Sequence, residues 1–95
     1  MFPFQENISN GVLSRTFDRD VPATELVWHR DENDRIVKVI ESTGWYFQFD
    51  DELPFSLRPG DVLNIPKEKW HRVIRKENSS KLIVEIVEMK VAQHV

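Results

Sequence analysis

Residues 58–73 read RPGDVLNIPKEKWHRV, and this stretch contains two short apolar segments separated by turn-forming residues. Pro59 and Gly60 favour a turn before the first segment. Pro66 ends that segment, because proline cannot donate a hydrogen bond to a neighbouring strand. The second segment begins at Trp70, after the polar run KEK. The pattern predicts a strand, a loop and a second strand.

The rest of the chain repeats this alternation of short apolar segments and turns. β-Branched and aromatic residues are common in the segments, and none of them keeps a helical period over the length of a helix. The predicted strands cover residues 11–17, 24–30, 35–40, 44–49, 54–57, 61–65, 70–75 and 81–89. Short strands at this spacing predict an all-β fold, a small antiparallel double-sheet jelly roll or β-barrel.

The length of 95 residues is that of one domain. We therefore expect a single domain over residues 1–95, with an N-terminal arm at 1–10 and a frayed tail at 90–95. A domain of this size has room for one core and one pocket lined by alternate residues of the strands.

The composition argues against several classes of protein. The chain has no cysteine, which excludes disulfides and thiolate metal sites. Its net charge of −3 argues against a nucleic-acid partner, and no apolar run approaches the roughly 20 residues that span a membrane. We expect a cytoplasmic protein without nucleic-acid or membrane partners. The basic stretch KEKWHRVIRK at 67–76 favours an anionic small molecule as ligand.

The stretch VWHRDENDR at 27–35 places His29 two residues before Asp31. Alternate residues of a strand share a face, so the two side chains would point the same way. His71 would join them if its face of the second strand is also inward. Two imidazoles and one carboxylate form a set that binds divalent metals and leaves coordination positions open.

Aromatic residues also suggest contact with a second chain. Trp28 and Trp70 each precede a histidine, so they would face away from a pocket that the histidines line. Exposed aromatics of this kind are common at interfaces, and Phe2 and Phe4 fit the same interpretation. We therefore expect a homodimer.

Two stretches of the chain resemble the two motifs of the cupin superfamily. The second motif is matched by a Pro-Gly-Asp turn, an Ile-Pro pair and a later histidine, here Pro59, Gly60, Asp61, Ile65, Pro66 and His71. The first motif is matched in outline by HRDENDRIVKVIESTG at 29–44, but Asp31 replaces its second histidine and Arg35 stands at its glutamate position. The resemblance covers residues 24–88.

The resemblance implies a cupin-like barrel that binds a small polar or anionic ligand. A divalent metal, Fe, Mn, Ni or Zn, would be held by His29, Asp31 and His71. With Trp45, Phe47 and Phe49 taken as core or dimer contacts, the opposite face of their strand would line the pocket. The ligand contacts expected on this basis are Tyr46, Gln48, Arg35 and Arg75.

A metal-free alternative stays open at this point. Arg35 would then enter the pocket, pair with Asp31 and fill the altered metal site, leaving a ligand-binding or sensor module. The direction of the Arg35 side chain distinguishes the two hypotheses. Sequence does not decide whether the protein is an enzyme, because the cupin barrel supports unrelated chemistries.

Overall fold

The computed structural model describes residues 3–89. This part of the chain forms eight strands and a short 3-10 helix at Ala23–Glu25. It contains no helix that is long and apolar enough to cross a membrane. The strands are β1 Phe4–Ser9, β2 Val12–Phe17, β3 Asp34–Glu41, β4 Trp45–Phe49, β5 Phe55–Ser56, β6 Val62–Ile65, β7 His71–Arg75 and β8 Leu82–Met89.

The strands form two sheets in which every pair is antiparallel. The larger sheet has the order β1-β2-β8-β3-β6, and the smaller has the order β5-β4-β7. The predicted all-β double sheet is therefore confirmed. Neighbouring strands such as β8 and β3 are distant in sequence, so consecutive strands often lie in different sheets or apart in one sheet, as in a jelly roll.

The hydrophobic core lies between the sheets and is built from alternate residues of the strands. In β6, Leu63 and Ile65 are buried, whereas Val62 and Asn64 are exposed. This alternation follows from the pleat, which points successive side chains to opposite faces of a sheet. The core also includes Phe17, Val37, Val39, Trp45, Phe47, Leu82, Val84 and Ile86.

The turn at residues 58–61, which precedes β6, is held by the side chain of Asp61. Asp61 Oδ2 accepts a hydrogen bond from the backbone N–H of Arg58 at 2.8 Å. Gly60 has a φ of 91°, a left-handed conformation that favours glycine, and its N–H donates to the Val39 carbonyl at 2.8 Å. The turn therefore fastens the start of β6 to β3.

The strand predicted at residues 24–30 is wrong. After Pro22 the chain forms the 3-10 helix, closed by a hydrogen bond from the Leu26 N–H to the Ala23 carbonyl at 3.1 Å. Only an isolated bridge between His29 and His71 follows. The segment runs beside the edge strand β7 and pairs with it only at His29. It therefore forms no strand, although its composition is typical of one.

Residues 4–9, expected as part of an N-terminal arm, form β1 instead. They pair with β2 from Phe4↔Phe17 to Ser9↔Val12. Asn10 and Gly11 connect the strands with φ values of 51° and 79°, the two positive values of a type I′ turn. Asn-Gly is a strong hairpin signal that the sequence analysis missed. The tail predicted at 90–95 lies outside the described residues.

Candidate metal centre

The backbone positions the two predicted histidines opposite each other. The His29 N–H donates to the His71 carbonyl at 3.0 Å, and the His71 N–H donates to the His29 carbonyl at 2.9 Å. The ring centroids are 4.3 Å apart. Asp31 is held nearby because its carbonyl accepts a hydrogen bond from the Glu68 N–H at 2.7 Å. A single antiparallel bridge therefore suffices to align the site.

The structure brings His29, Asp31 and His71 together, as the sequence predicted. One potential ligand atom from each residue lies within 4.8 Å of the other two. His71 Nε2 and Asp31 Oδ2 are 3.3 Å apart. Metal bonds of about 2.1 Å place adjacent ligand atoms roughly 3.0–3.4 Å apart in octahedral or tetrahedral coordination. The spacing of this pair suits a shared metal ion.

The hydrogen bonds of the histidines leave one nitrogen of each ring available. Nδ1 of His29 lies 3.1 Å from the Val27 carbonyl, and Nδ1 of His71 lies 2.8 Å from the Lys69 carbonyl. A carbonyl only accepts, so the proton of each neutral ring resides on Nδ1. Nε2 then carries the lone pair, and contacts of this kind orient histidine ligands in metal sites.

Asp31 supplies an unsatisfied oxygen to the same point. Its Oδ2 is buried and has no hydrogen-bond partner among residues 3–89. Buried polar atoms in folded proteins are normally paired, and an unpaired one indicates a missing ion, water or proton. When Nε2 of His71 carries no proton, it presents a lone pair to this oxygen, and a cation between the two atoms would satisfy both.

Arg35 enters the pocket, which answers the question left open by the sequence. Its Nη1 lies 3.2 Å from Asp31 Oδ1, and its Nη2 lies 2.6 Å from Glu88 Oε1. Nε also donates to Glu88 Oε1 at 3.1 Å. Arg35 therefore occupies one oxygen of Asp31 and leaves Oδ2 directed at His71. Its positive charge is shared between two carboxylates, which reduces its repulsion of a metal.

The ionisation of the site favours metal ligation. Burial raises the pKa of the Asp31 carboxyl, but a hydrogen bond from His71, which requires a proton on Nε2, and the charge of Arg35 outweigh burial and hold the pKa below its ordinary value. Part of the His29 ring reaches solvent, yet desolvation on its pocket side lowers the pKa of His29. Asp31 is thus charged and His29 neutral near pH 7, which are the forms that bind metals.

The triad lies in a cavity of about 400 Å³ between the sheets. Phe47 stacks on His71 with ring centroids 5.5 Å apart. Apart from the triad, Arg15 and Arg35, the lining is apolar. A cavity of this size can hold a small organic molecule.

Three of the four predicted ligand contacts lie outside this pocket. In β4 the buried Trp45 and Phe47 face inward, so Tyr46 and Gln48 lie on the opposite face. Gln48 Oε1 accepts hydrogen bonds from Arg72 at 3.0 and 2.9 Å. Lys76 Nζ lies 4.5 Å from the centroid of the Tyr46 ring. The prediction assigned the pocket to the wrong face of β4, because the core and the pocket occupy the same interior.

Arg75 was also predicted to contact the ligand, and it does not line the cavity. Its Nε donates to the Val21 carbonyl at 2.9 Å. The residue lies at the far end of β7 from His71. Sharing a strand face is therefore insufficient to place two residues in one pocket.

The sequence analysis missed two charged residues of the site, one in the cavity wall and one that pairs with a residue of the wall. Arg15 lines the cavity from β2, and Glu88 on β8 pairs with Arg35. Each is a charged residue on the same strand face as an apolar residue two positions earlier, Leu13 for Arg15 and Ile86 for Glu88. Both residues could have been found from the sequence, because each places a charge on the apolar face of a predicted strand.

The aromatic residues expected at a dimer interface divide into two groups. Trp28 and Trp70 are 38% and 42% exposed and face away from the cavity, as predicted. Phe4 instead lines the cavity and packs on Phe17 with ring centroids 5.3 Å apart, so it does not belong to an outer surface. Phe2 lies outside the described residues, and the homodimer stays a prediction.

Comparison with known proteins finds similar folds among solved structures. No family model matches the sequence, and no curated protein matches it. A cupin domain from Bordetella pertussis Tohama I is similar, with a TM-score of 0.63, 20% sequence identity, and coverage of 95% of this chain and 98% of that one. A cupin-like protein from Thermotoga maritima MSB8 gives a TM-score of 0.66 and 19% identity over 88% of this chain and 65% of that chain.

A third similar structure is that of FeII HppE. It gives a TM-score of 0.67 and 9% identity over 90% of this chain and 48% of that chain. The chain thus spans just under two thirds of the Thermotoga protein and about half of HppE. At these identities the similarity concerns the fold. The resemblance read from the sequence is confirmed at that level, and the chain has the fold of the cupin superfamily.

Proposed function

We propose that this protein binds a divalent metal through Nε2 of His29, Nε2 of His71 and Oδ2 of Asp31, and presents it to a small ligand in the cavity. The observation that carries the proposal is the buried Asp31 Oδ2, which has no hydrogen-bond partner among residues 3–89 and lies 3.3 Å from Nε2 of His71. The Fe(II) form of HppE, which shares the fold, lends support to iron among the candidate metals.

The ligand set favours first-row transition metals. Imidazole suits Fe, Ni and Zn, and a set of two histidines and one carboxylate with open positions is typical of non-haem Fe(II) sites. When bound, the metal would supply a Lewis acid to the ligand. The chain supplies the rest: the Val27 and Lys69 carbonyls orient the imidazoles, and Arg35 holds Asp31 Oδ1.

Metal content tests the proposal directly. The protein is purified without chelators or a histidine tag, reconstituted separately with Fe(II), Mn(II), Ni(II) and Zn(II), and analysed by mass spectrometry. We expect about one ion per chain for at least one metal. Asp31→Asn, which keeps the shape of the side chain, is expected to remove most of it. Asp51→Asn, at an exposed acid outside the cavity, serves as the matched control.

Loss of the metal in Asp31→Asn but not in Asp51→Asn would support the site. A wild-type protein that stays empty with all four metals would overturn the proposal.

The second candidate is a metal-free ligand-binding module, favoured by the 3.2 Å contact between Arg35 Nη1 and Asp31 Oδ1. In that case Arg35 would be the counter-ion that replaces the metal. Arg35→Gln separates the two functions. If Arg35 excludes a metal, the variant should gain metal that the wild type lacks. If Arg35 positions Asp31, the variant should bind metal more weakly than the wild type.

A further inference from the structure

The cavity wall does not suit a polyhydroxylated ligand. Away from the triad and two arginines, the wall consists of apolar side chains from both sheets, among them Phe17, Val37, Phe47, Leu63, Val73 and Val84. Each hydroxyl of a sugar placed there would lose its hydrogen bonds to water without a replacement. An alkyl or aryl body would instead gain from leaving water.

The two arginines in the wall differ in how they are held. Arg35 is engaged by Asp31 on one side and by Glu88 on the other. Arg15 contacts Glu6 through Nε, and its guanidinium lies 4.1 Å from the centroid of the Phe4 ring. A guanidinium has five N–H donors, and the Glu6 contact uses the Nε edge. Arg15 is thus the cation in the wall that is better placed to accept a second anion.

Placing the charge of Arg15 at this largely buried position costs desolvation free energy, which suggests that the residue serves a function. Its side chain is 15% exposed, on the interior face of β2 between Leu13, which packs against the core, and the core residue Phe17. Lysine and arginine are rarely buried without pairing, and the Glu6 partner is itself 34% exposed on the edge strand β1. A ligand anion in the cavity could accept hydrogen bonds from the Arg15 N–H groups that the Glu6 contact does not use.

We infer that the cavity takes a small carboxylic acid with an apolar body, its carboxylate between Arg15 and the triad and its body among the apolar side chains. This inference rests on the proposed function for the location of the ligand head beside the metal. It narrows the small polar or anionic ligand predicted from the sequence to a monoanionic amphiphile, and it assigns Arg15 as the residue that selects the anion.

A homologous series of ligands tests the inference on the wild-type protein. Butanoate, hexanoate and octanoate are titrated calorimetrically into the Zn(II)-loaded protein and into protein treated with EDTA. Each methylene buried in the cavity should improve affinity about fourfold. Gluconate, which has the carboxylate but a polar body, and 1-octanol, which lacks the anion, should both bind at least about tenfold more weakly than octanoate.

Variants test the role of Arg15. Arg15→Gln should weaken octanoate binding about tenfold or more while changing 1-octanol binding less than about threefold. Arg15→Lys, which keeps the charge, should retain most of the preference for octanoate. Arg19→Gln is the matched control, because the Arg19 side chain is 73% exposed and outside the cavity. Circular dichroism confirms that each variant is folded.

The outcomes separate this inference from the metal proposal. Dependence on chain length in both preparations supports the ligand class, whatever the metal content. Affinity that is independent of chain length, or gluconate binding as tight as octanoate binding, overturns the ligand class even for a metal-loaded protein. Absence of binding by the whole series also overturns it. An unchanged ratio of octanoate to 1-octanol affinity in Arg15→Gln rejects the role of Arg15.

Discussion

Oδ2 of Asp31 lies 3.3 Å from Nε2 of His71, and a contact on the far side of each group turns the two atoms toward each other. The Lys69 carbonyl lies at hydrogen-bond distance from Nδ1 of His71, and Arg35 pairs with Oδ1 of Asp31. When Nε2 of His71 carries no proton, the carboxylate and the imidazole direct lone pairs at each other, and a cation between the two atoms would satisfy both.

Glu88→Gln should weaken metal binding about 10–100-fold, the usual range for a residue that orients a metal ligand. The substitution removes the charge that draws Arg35 away from Asp31, so the guanidinium would compete more strongly with the metal. Competition with a chromophoric chelator measures the change. Glu85→Gln provides the control, since Glu85 lies on the same strand opposite Lys38 and outside the cavity. Equal affinities in the two variants would contradict the prediction.

Metal binding should raise the melting temperature. A ligand that binds only the folded state stabilises it by about 2.7 kcal/mol at 100 times its dissociation constant. For a domain of this size that corresponds to an increase of roughly 10–20 °C. Differential scanning calorimetry with Zn(II) and then with excess EDTA measures the shift. Asp31→Asn should show little of it, and an equal shift in that variant would place the stabilising metal elsewhere.

Trp45→Phe should destabilise the fold by about 1–3 kcal/mol. Trp45 is fully buried, and its Nε1–H donates to the Ser80 carbonyl at 2.8 Å. The variant leaves both a void and an unpaired carbonyl. Trp70→Phe, at a position 42% exposed, should change stability by less than about 0.5 kcal/mol. Urea denaturation measures both, and comparable losses would mean that Trp45 is not a core residue.

Gly11→Ala should destabilise the β1–β2 hairpin by about 1–2 kcal/mol, because Gly11 has a φ of 79° that alanine adopts poorly. Nothing lies within 4 Å of an added Cβ, so the cost is conformational and not steric. Gly11→Asn should destabilise the hairpin less than Gly11→Ala, since asparagine tolerates the left-handed region. Hydrogen exchange of the β1 amides reports the change. Equal protection in all three proteins would argue against the turn.

The pH response of Asp51 can be predicted in direction. Lys69 Nζ lies 2.7 Å from Asp51 Oδ2, and this contact holds the pKa of Asp51 below its ordinary value. The contact therefore favours the folded state above the unfolded pKa of Asp51 and is lost as pH falls through the folded pKa. Lys69→Met should raise the pKa of Asp51 toward its ordinary value in an NMR titration. An unchanged pKa would show that the contact does not form in solution.

Much of the fold was predictable because its signals are local. Seven of the eight predicted strands have a counterpart in the structure, and the turn at Pro59 and Gly60 was located correctly. The segment around Val27 failed because a β-rich composition needs a neighbouring strand to pair with, and that neighbour is decided by the topology. Strand β1 was missed because the Asn10-Gly11 signal was overlooked.

The candidate site was predictable in part. The convergence of His29, Asp31 and His71 was predicted from the motif resemblance and from alternation in a strand that does not form, and an isolated bridge between His29 and His71 aligns the site instead. The directions of Tyr46 and Gln48 did not, because alternation gives two faces of a strand without saying which one is interior. The buried Trp45 and Phe47 decide that question only once the two sheets are packed.

By itself the sequence determined that the chain is all-β, because strand period and turn residues act over a few positions, and the motif resemblance predicted that two histidines and an aspartate share one site. Only the tertiary structure decided that Arg35 enters the cavity and that Arg15 lines its wall. Those side chains are placed by partners distant in sequence, Glu88 on β8 for Arg35 and Glu6 on β1 for Arg15. Such contacts depend on which strands become neighbours, and this is settled when the sheets close around a common core.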